Sequence, residues 1–457
     1  MNPVQRFPIN LDSVAGLVTG FFLLLISLVV WLGSQIGIRV SAGLPEDASV
    51  GPFESLTLNF SEPVDGNLTV AKFSIQPVMD GKFTWVDDKT LQFEPREPFQ
   101  PDTDYTMTLA PGALTRNGRL LKKSDSWNFR VRPPRVVYLV AEGGKSRLWT
   151  IEPDGGQINP LTDDSFTIFD FDTSRDGNLV IFSAFNEQKG IDLWRVGRAG
   201  GNSTLLLQCG ADRCSVPAIS PDGRRVAYVR EAAAPSPGLA FGSPRIWVLD
   251  LKSRQDASLY EDQQIIGYSP TWSPDGTWLS SFDGMADEIR LLDLVTSNQL
   301  IIPSQTGNPF TWSADGSTFV YTDVESNESG LHTRIQQAKL STKEIVTLFG
   351  EKDERDYHYS SLAWSPAGDQ LVLGLQFEAN NPAEALWLID PASHGGQVIA
   401  DQPDYIYNNP FWDPWGRALV FQQFKLKGAY KPQISLWMPG YEEPRFLVEG
   451  ILPHWLP

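Results

Sequence analysis

From residue 134 onward one short block keeps returning: Thr-Ser-Arg-Asp-Gly around Ser174, Ile-Ser-Pro-Asp-Gly around Ser220, Trp-Ser-Pro-Asp-Gly around Ser273, Trp-Ser-Ala-Asp-Gly around Ser313, Trp-Ser-Pro-Ala-Gly around Ser365, and a degraded Trp-Asp-Pro-Trp-Gly around Asp413. The intervals are 46, 53, 40, 52 and 48 residues. A unit of that length, built of short strand-like runs with no helical phase, cannot bury its apolar face alone and must stack on its neighbours. Four strands per unit make the blade of a β-propeller.

The block itself is a reversal. Pro presets φ at an early turn position and Gly accepts positive φ at the end, so the chain enters as a strand and returns as a hairpin. The Trp or Ile ahead of it is expected between blades. The acids Asp176, Asp222, Asp275 and Asp315 recur because the turn needs them, which makes them structural. A second block, with apolar and Trp residues in alternation, starts at Arg147, Asp192, Arg245, Glu288, Arg334, Ala385 and Ser435, seven times against six. The imbalance resolves if the final Leu452-Pro453-His454-Trp455 supplies the strand missing before Val136-Val137-Tyr138-Leu139-Val140. That closure hides two open sheet edges and predicts seven blades over 134–457.

Pro270-Thr271-Trp272-Ser273-Pro274-Asp275-Gly276 resembles the repeat of the bacterial TolB-like, WD-type propeller family. The resemblance implies a fold more than a task, since the repeat serves envelope binding subunits, sensory propellers and the non-catalytic gate of prolyl oligopeptidase-type enzymes. Residues 45–132 read as a small β-sandwich, with runs at 56–60, 82–86, 91–95, 105–111 and 127–131 and turns at Asp65-Gly66, Asp80-Gly81 and Asn117-Gly118. Leu58-Asn59-Phe60-Ser61-Glu62-Pro63-Val64, Phe93-Glu94-Pro95 and the Pro101-to-Tyr105 run resemble the bacterial Ig-like domain of the SbsA type, usually a spacer or surface module.

No charge occurs between Ser13 and Ile38, so 14–38 is expected to be a transmembrane helix behind a short cytoplasmic tail, 1–13. A cleaved signal peptide, with Val40 and Ala42 as small-residue positions, is the competing reading. The predicted fold is all-β: a seven-bladed β-propeller preceded by an Ig-like β-sandwich and one N-terminal transmembrane helix. The expected location is the cell membrane, single-pass, with the bulk of the chain extracytoplasmic. A tail of that length leaves no room for a signalling output domain.

With 55 Asp+Glu against 37 Lys+Arg and a net charge of −18, the chain lacks the basic footprint of a nucleic-acid partner. The two cysteines, Cys209 and Cys214, form either a local disulfide, which presupposes an oxidising compartment, or two free thiols. No cofactor or metal is expected. Four histidines occur, His332, His358, His394 and His454, each read as structural or solvent-facing, and no Gly-x-Ser-x-Gly elbow is present. Asp87 and Asp88 read as a solvated turn. The pairs Asp170/Asp172 and Asp283/Asp287 carry the alternative, a propeller enzyme acting on polysaccharide through two carboxylates. The principal expectation is a non-catalytic binding or scaffold protein meeting a protein or glycan of the cell envelope. Three segments are the places to look: 231–244, 349–361 and the aromatic stretch 403–412.

Overall fold

In the computed structural model Ser273 Oγ donates to Asp275 Oδ1 at 2.6 Å, the same carboxylate oxygen accepts the Thr277 N–H at 3.0 Å, and the Trp278 N–H donates to Ser273 Oγ at 2.9 Å. Gly276, at φ +71°, closes the turn by donating its N–H to the Ser273 carbonyl. The Ser-to-Asp bond recurs at 174/176, 220/222 and 313/315. Hydrogen bonds from Ser313 and Ser317 hold the Asp315 carboxyl below the usual carboxylate range. These carboxylates are engaged in making reversals.

The structure describes residues 11–457 except 36, 113–114, 116–119, 308, 328–329, 351–356, 369, 378–382 and 429–430. Two units, Met1–Val131 and Arg132–Pro457, make up the chain.

The first unit holds two four-stranded sheets. One runs in the order Val40–Ala42, Leu56–Phe60, Thr90–Pro95, Gly81–Trp85, and the other Ser49–Val50, Asp125–Val131, Asp104–Leu109, Phe73–Gln76. Strand Leu56–Phe60 alternates buried and outward residues, and Leu56, Leu58 and Phe60 join Phe93, Phe99, Tyr105 and Phe129 in one core. The Pro101-to-Tyr105 run folds back so that Tyr105 OH accepts the Gln100 N–H at 3.1 Å while its ring stacks on Phe129 at 5.5 Å. The sandwich begins before residue 45, because Val40 pairs with Phe60. Asp65-Gly66 is more than a turn: Asp65 caps a short helix, Gly66–Val70, accepting the Leu68 N–H at 3.0 Å. The Asn117-Gly118 turn lies outside the described residues.

The transmembrane helix expected over 14–38 is not supported. A helix runs Leu11–Gln35, yet among the described residues no helix is long and apolar enough to cross a membrane. Its side chains from Val14 to Val29 are all exposed. The first ten residues of the expected tail, 1–13, are outside the described part.

The second unit is a β-propeller. The repeats are antiparallel meanders, and in four of them the first strand leads into a Ser-x-Asp-Gly turn, at Ser174, Ser220, Ser273 and Ser313. Four sheets of four strands begin at Tyr268, Phe310, His358 and Tyr405, and an eight-stranded sheet covers Ile168–Ser258, where two meanders touch through one parallel pair, Ile191↔Arg213. The remaining sheet mixes the two ends of the unit: Ile451–Leu456 pairs antiparallel with Arg135–Glu142.

Apolar clusters join successive meanders. Val137, Leu139 and Leu148 meet Phe171 and Phe182; Ile181 and Leu193 meet Val226 and Tyr228; and so on round to Val136 and Tyr138, which meet Val420, Ile434 and Leu436. The last cluster therefore returns to the first sheet. At three of these seams the tryptophan of the repeat adds a directed bond: Trp272 Nε1 donates to Ala218 O, Trp412 Nε1 to Ala363 O and Trp455 Nε1 to Phe411 O, at 2.9–3.2 Å. The Pro ahead of that Trp marks a bulge. Val216, Ser269, Asn409 and Leu452 each precede a Pro at φ near +50°, and the strand register shifts there.

Trp455 is 2 % exposed and fills the seam between the first and last sheets. Trp455→Ala should lower the stability of the second unit by about 3–5 kcal/mol, measured as a reduced guanidinium midpoint for its tryptophan fluorescence.

Candidate functional site

Every Ser-x-Asp-Gly turn lies at one end of the propeller unit, so the loops between second and third strands, and the crossovers to the next meander, lie at the other. The three segments singled out in the sequence reach that crossover end. The stretch 403–412 is mainly packing: Tyr407 and Trp412 are buried, whereas Phe411 is 37 % exposed. In 349–361, residues 351–356 lie outside the described part; Tyr357 packs edge-on against Phe377 and Tyr359 is buried.

The 231–244 hairpin is anchored. Asp212 accepts the Ala233 N–H at 2.8 Å and holds the Arg230 guanidinium at 2.8 Å, while Phe241 covers the guanidinium of Arg213 at 3.6 Å. Asp212 and Arg213 belong to the loop closed by a disulfide between Cys209 and Cys214, whose Cα atoms are 6.3 Å apart.

The other flank of that loop borders a cavity of about 440 Å³. Phe166, Phe185, Trp194 and Leu205 give it apolar walls; Gln188 and Gln208 stand at its rim. Asn186 organises the hairpin beside it. Its Oδ1 accepts the N–H groups of Gln188 and Gly190, and its Nδ2 donates to Asp192 and to the Gly210 carbonyl at 2.7 Å. Asp192 is buried and also accepts the Cys209 N–H at 2.7 Å. The sequence reading missed this cavity. Its residues come from the loop at 165–166, the hairpin of strands Leu179–Phe185 and Ile191–Gly197, and the stretch 205–210, whose convergence no local motif signals.

Asp170 and Asp172 stand two apart on strand Ile168–Thr173 and so share a face. Asp172 accepts the N–H groups of Ile219 and Thr173. His454, from the closing strand, puts Nδ1 3.6 Å from Asp172 Oδ1, and its ring stacks on Phe411 at 4.4 Å. That Nδ1 is buried and makes no hydrogen bond. Burial pushes the Asp170 carboxyl up to about 6, opposed by the Phe171 N–H and the positive character of His454 and reinforced by Asp172. The other pair does not form a site: Asp283 accepts from Arg290 Nε at 3.1 Å and from the Met285 N–H, and Asp287 sits at φ +54° in the same hairpin. His358 meets Thr333, His394 packs on Phe349, and Asp87 caps its own turn through the Lys89 N–H. Among the described residues no three His, Cys, Asp or Glu side chains group as metal ligands.

The bacterial Ig-like domain family matches residues 34–131. The comparison with curated proteins finds no match. Among solved structures the chain is similar to TolB from Acinetobacter baumannii, at 15% identity over 71% of this chain and 83% of that one, with TM-score 0.42. It is also similar to an oligogalacturonate lyase in complex with manganese, at 13% identity, 89% and 97% coverage and TM-score 0.50. A puromycin-hydrolyzing peptidase of Mycobacterium tuberculosis matches at 15% identity, 69% and 53% coverage and TM-score 0.51. At such identities the likeness is one of fold.

Asp170 has a folded pKa above its unfolded one, so the stability its proton confers is complete below about pH 4 and lost as pH rises through 6. Asp170→Asn should therefore unfold at higher urea than the parent at pH 8, by about 1–2 kcal/mol, and at the same urea at pH 4. Replacing both Cys209 and Cys214 by Ser should cost about 2 kcal/mol, as expected for so short a closed loop, and hydrogen exchange should accelerate at the Ala233 amide.

Proposed function

We propose that this chain is an extracytoplasmic binding or scaffold protein whose propeller takes a protein or glycan of the cell envelope at its crossover face. The cavity beside the disulfide loop carries the reading. It is concave, of a size ordinary for ligand sites, walled by aromatic and aliphatic groups with a few polar ones at the rim, and fixed by a covalent clip. Counting the eight-stranded sheet as two meanders makes the propeller seven-bladed. The Cys209–Cys214 bond supports an oxidising compartment. The Ig-like unit precedes the propeller in sequence as a spacer.

One observation favours a second reading, an enzyme acting on polysaccharide. Asp170 and Asp172 share a strand face in environments that differ, one carboxyl raised to about 6 and the other hydrogen-bonded by two N–H groups, and such a split suits acid and base roles.

Affinity electrophoresis through gels carrying envelope polysaccharides, together with a photo-crosslinker at Gln188 for protein partners, separates the readings. Binding reads out as retarded migration or a Gln188-specific adduct, with no new reducing ends. New reducing ends that vanish in Asp170→Asn would replace the scaffold reading by the enzymatic one.

A further inference from the structure

We infer that the cavity walled by Phe185, Trp194 and Leu205 is a subsite for one neutral sugar ring of a longer glycan. This deepens the binding reading above and rests on it.

The walls fit the C–H faces of a pyranose. Phe185 is 45 % and Leu205 36 % exposed, while Trp194 and Phe166 stand edge-on at 5.0 Å and are half-buried behind them. Phe169 meets Phe185 edge-on at 6.2 Å and is itself 47 % exposed, so the apolar strip runs past the cavity and can meet a second ring.

The rim fits hydroxyls. A sugar hydroxyl both donates and accepts, and so does a side-chain amide; Gln188 and Gln208 are exposed there beside Ser165. The charge of the lining selects among sugars. Its ionisable groups are Glu187 and Asp192, and Asp192 is engaged by Asn186 and the Cys209 N–H. No Lys or Arg is in the lining, so a uronate, sialate or phosphate would meet a carboxylate with no cation to pair with it. Lys145 approaches only to donate Nζ to the Ser165 carbonyl at 3.2 Å.

The site is also set before a ligand arrives. A Cβ on Gly190 would stand 2.1 Å from the Gly210 carbonyl, so the hairpin 186–190 and the disulfide loop lie in direct contact. Little ordering remains to oppose binding.

The test is calorimetric titration of the full chain with maltohexaose, cellohexaose and chitohexaose as neutral probes, hexagalacturonate as the anionic one and hexalysine as the cationic one. Phe185→Ala and Gln208→Ala remove exposed side chains and should leave the fold intact by circular dichroism; Met285→Ala, 72 % exposed on another meander, is the control. At least one neutral hexasaccharide should bind, weakened about tenfold by Phe185→Ala, the scale of one aromatic contact, and unchanged by Met285→Ala. Phe185-dependent binding of hexagalacturonate or hexalysine instead would overturn the neutral-sugar assignment and leave the binding reading standing. Neutral binding indifferent to both cavity variants would overturn the location alone. If no probe binds, the inference falls, and the binding reading falls with it only if the Gln188 crosslinker also captures nothing.

Discussion

The pairing of Ile451–Leu456 with Arg135–Glu142 is the contact on which the propeller unit depends. A set of meanders stacked face to face has two free ends, each exposing an apolar face and a row of unpaired backbone groups. Joining the ends in one sheet removes both. Several devices converge on the seam: Trp455 bonds to Phe411 O, Thr173 Oγ1 donates to Trp455 O, and Arg198 donates to the carbonyls of Leu456, Pro457 and Pro133. Burial and the neighbouring Arg132 and Arg135 lower the Arg198 pKa to about 9, so this clamp works against desolvation and like charge and is sustained by carbonyl acceptors.

The same closure builds the Asp170/Asp172/His454 group. Those residues come from strands separated by nearly the whole propeller sequence, and they meet only because the end of the chain lies beside the start of the second meander. The electrostatics at that point are set by topology. Asp170 is raised because the seam dries it, and Asp172 accepts an N–H from the following meander.

Away from the seam, the two ends of the propeller unit differ. At the turn end the recurring Ser and Asp side chains are used in closing reversals, and each turn packs on its neighbour, as where a Cβ on Gly276 would stand 3.4 Å from Pro221. At the crossover end loop lengths differ between repeats. The 209–214 loop is covalently closed and serves two neighbours, the cavity on one side and the 231–244 hairpin on the other.

Much of the architecture was legible in the sequence because it is written in local chemistry. Turn residues at fixed offsets, strand alternation and a repeat near fifty residues are short-range signals, and they led to the propeller, the Ig-like sandwich and the role of Asp176, Asp222, Asp275 and Asp315. The one-turn helix at Gly66–Val70 escaped because five residues carry no period, and its only local mark is the cap Asp65. His454 looked like an isolated histidine and Asp170 like an ordinary loop acid. Their environment is made by partners hundreds of residues away. The sequence by itself determined which segments reverse, which alternate, and that the two ends of the repeat region are complementary, since these follow from backbone preferences and side-chain pattern. Only the tertiary structure decided which polar groups are dried, which loops converge on the cavity and which carboxylate carries a raised pKa, because burial and proximity belong to the packed ring and to no segment of it.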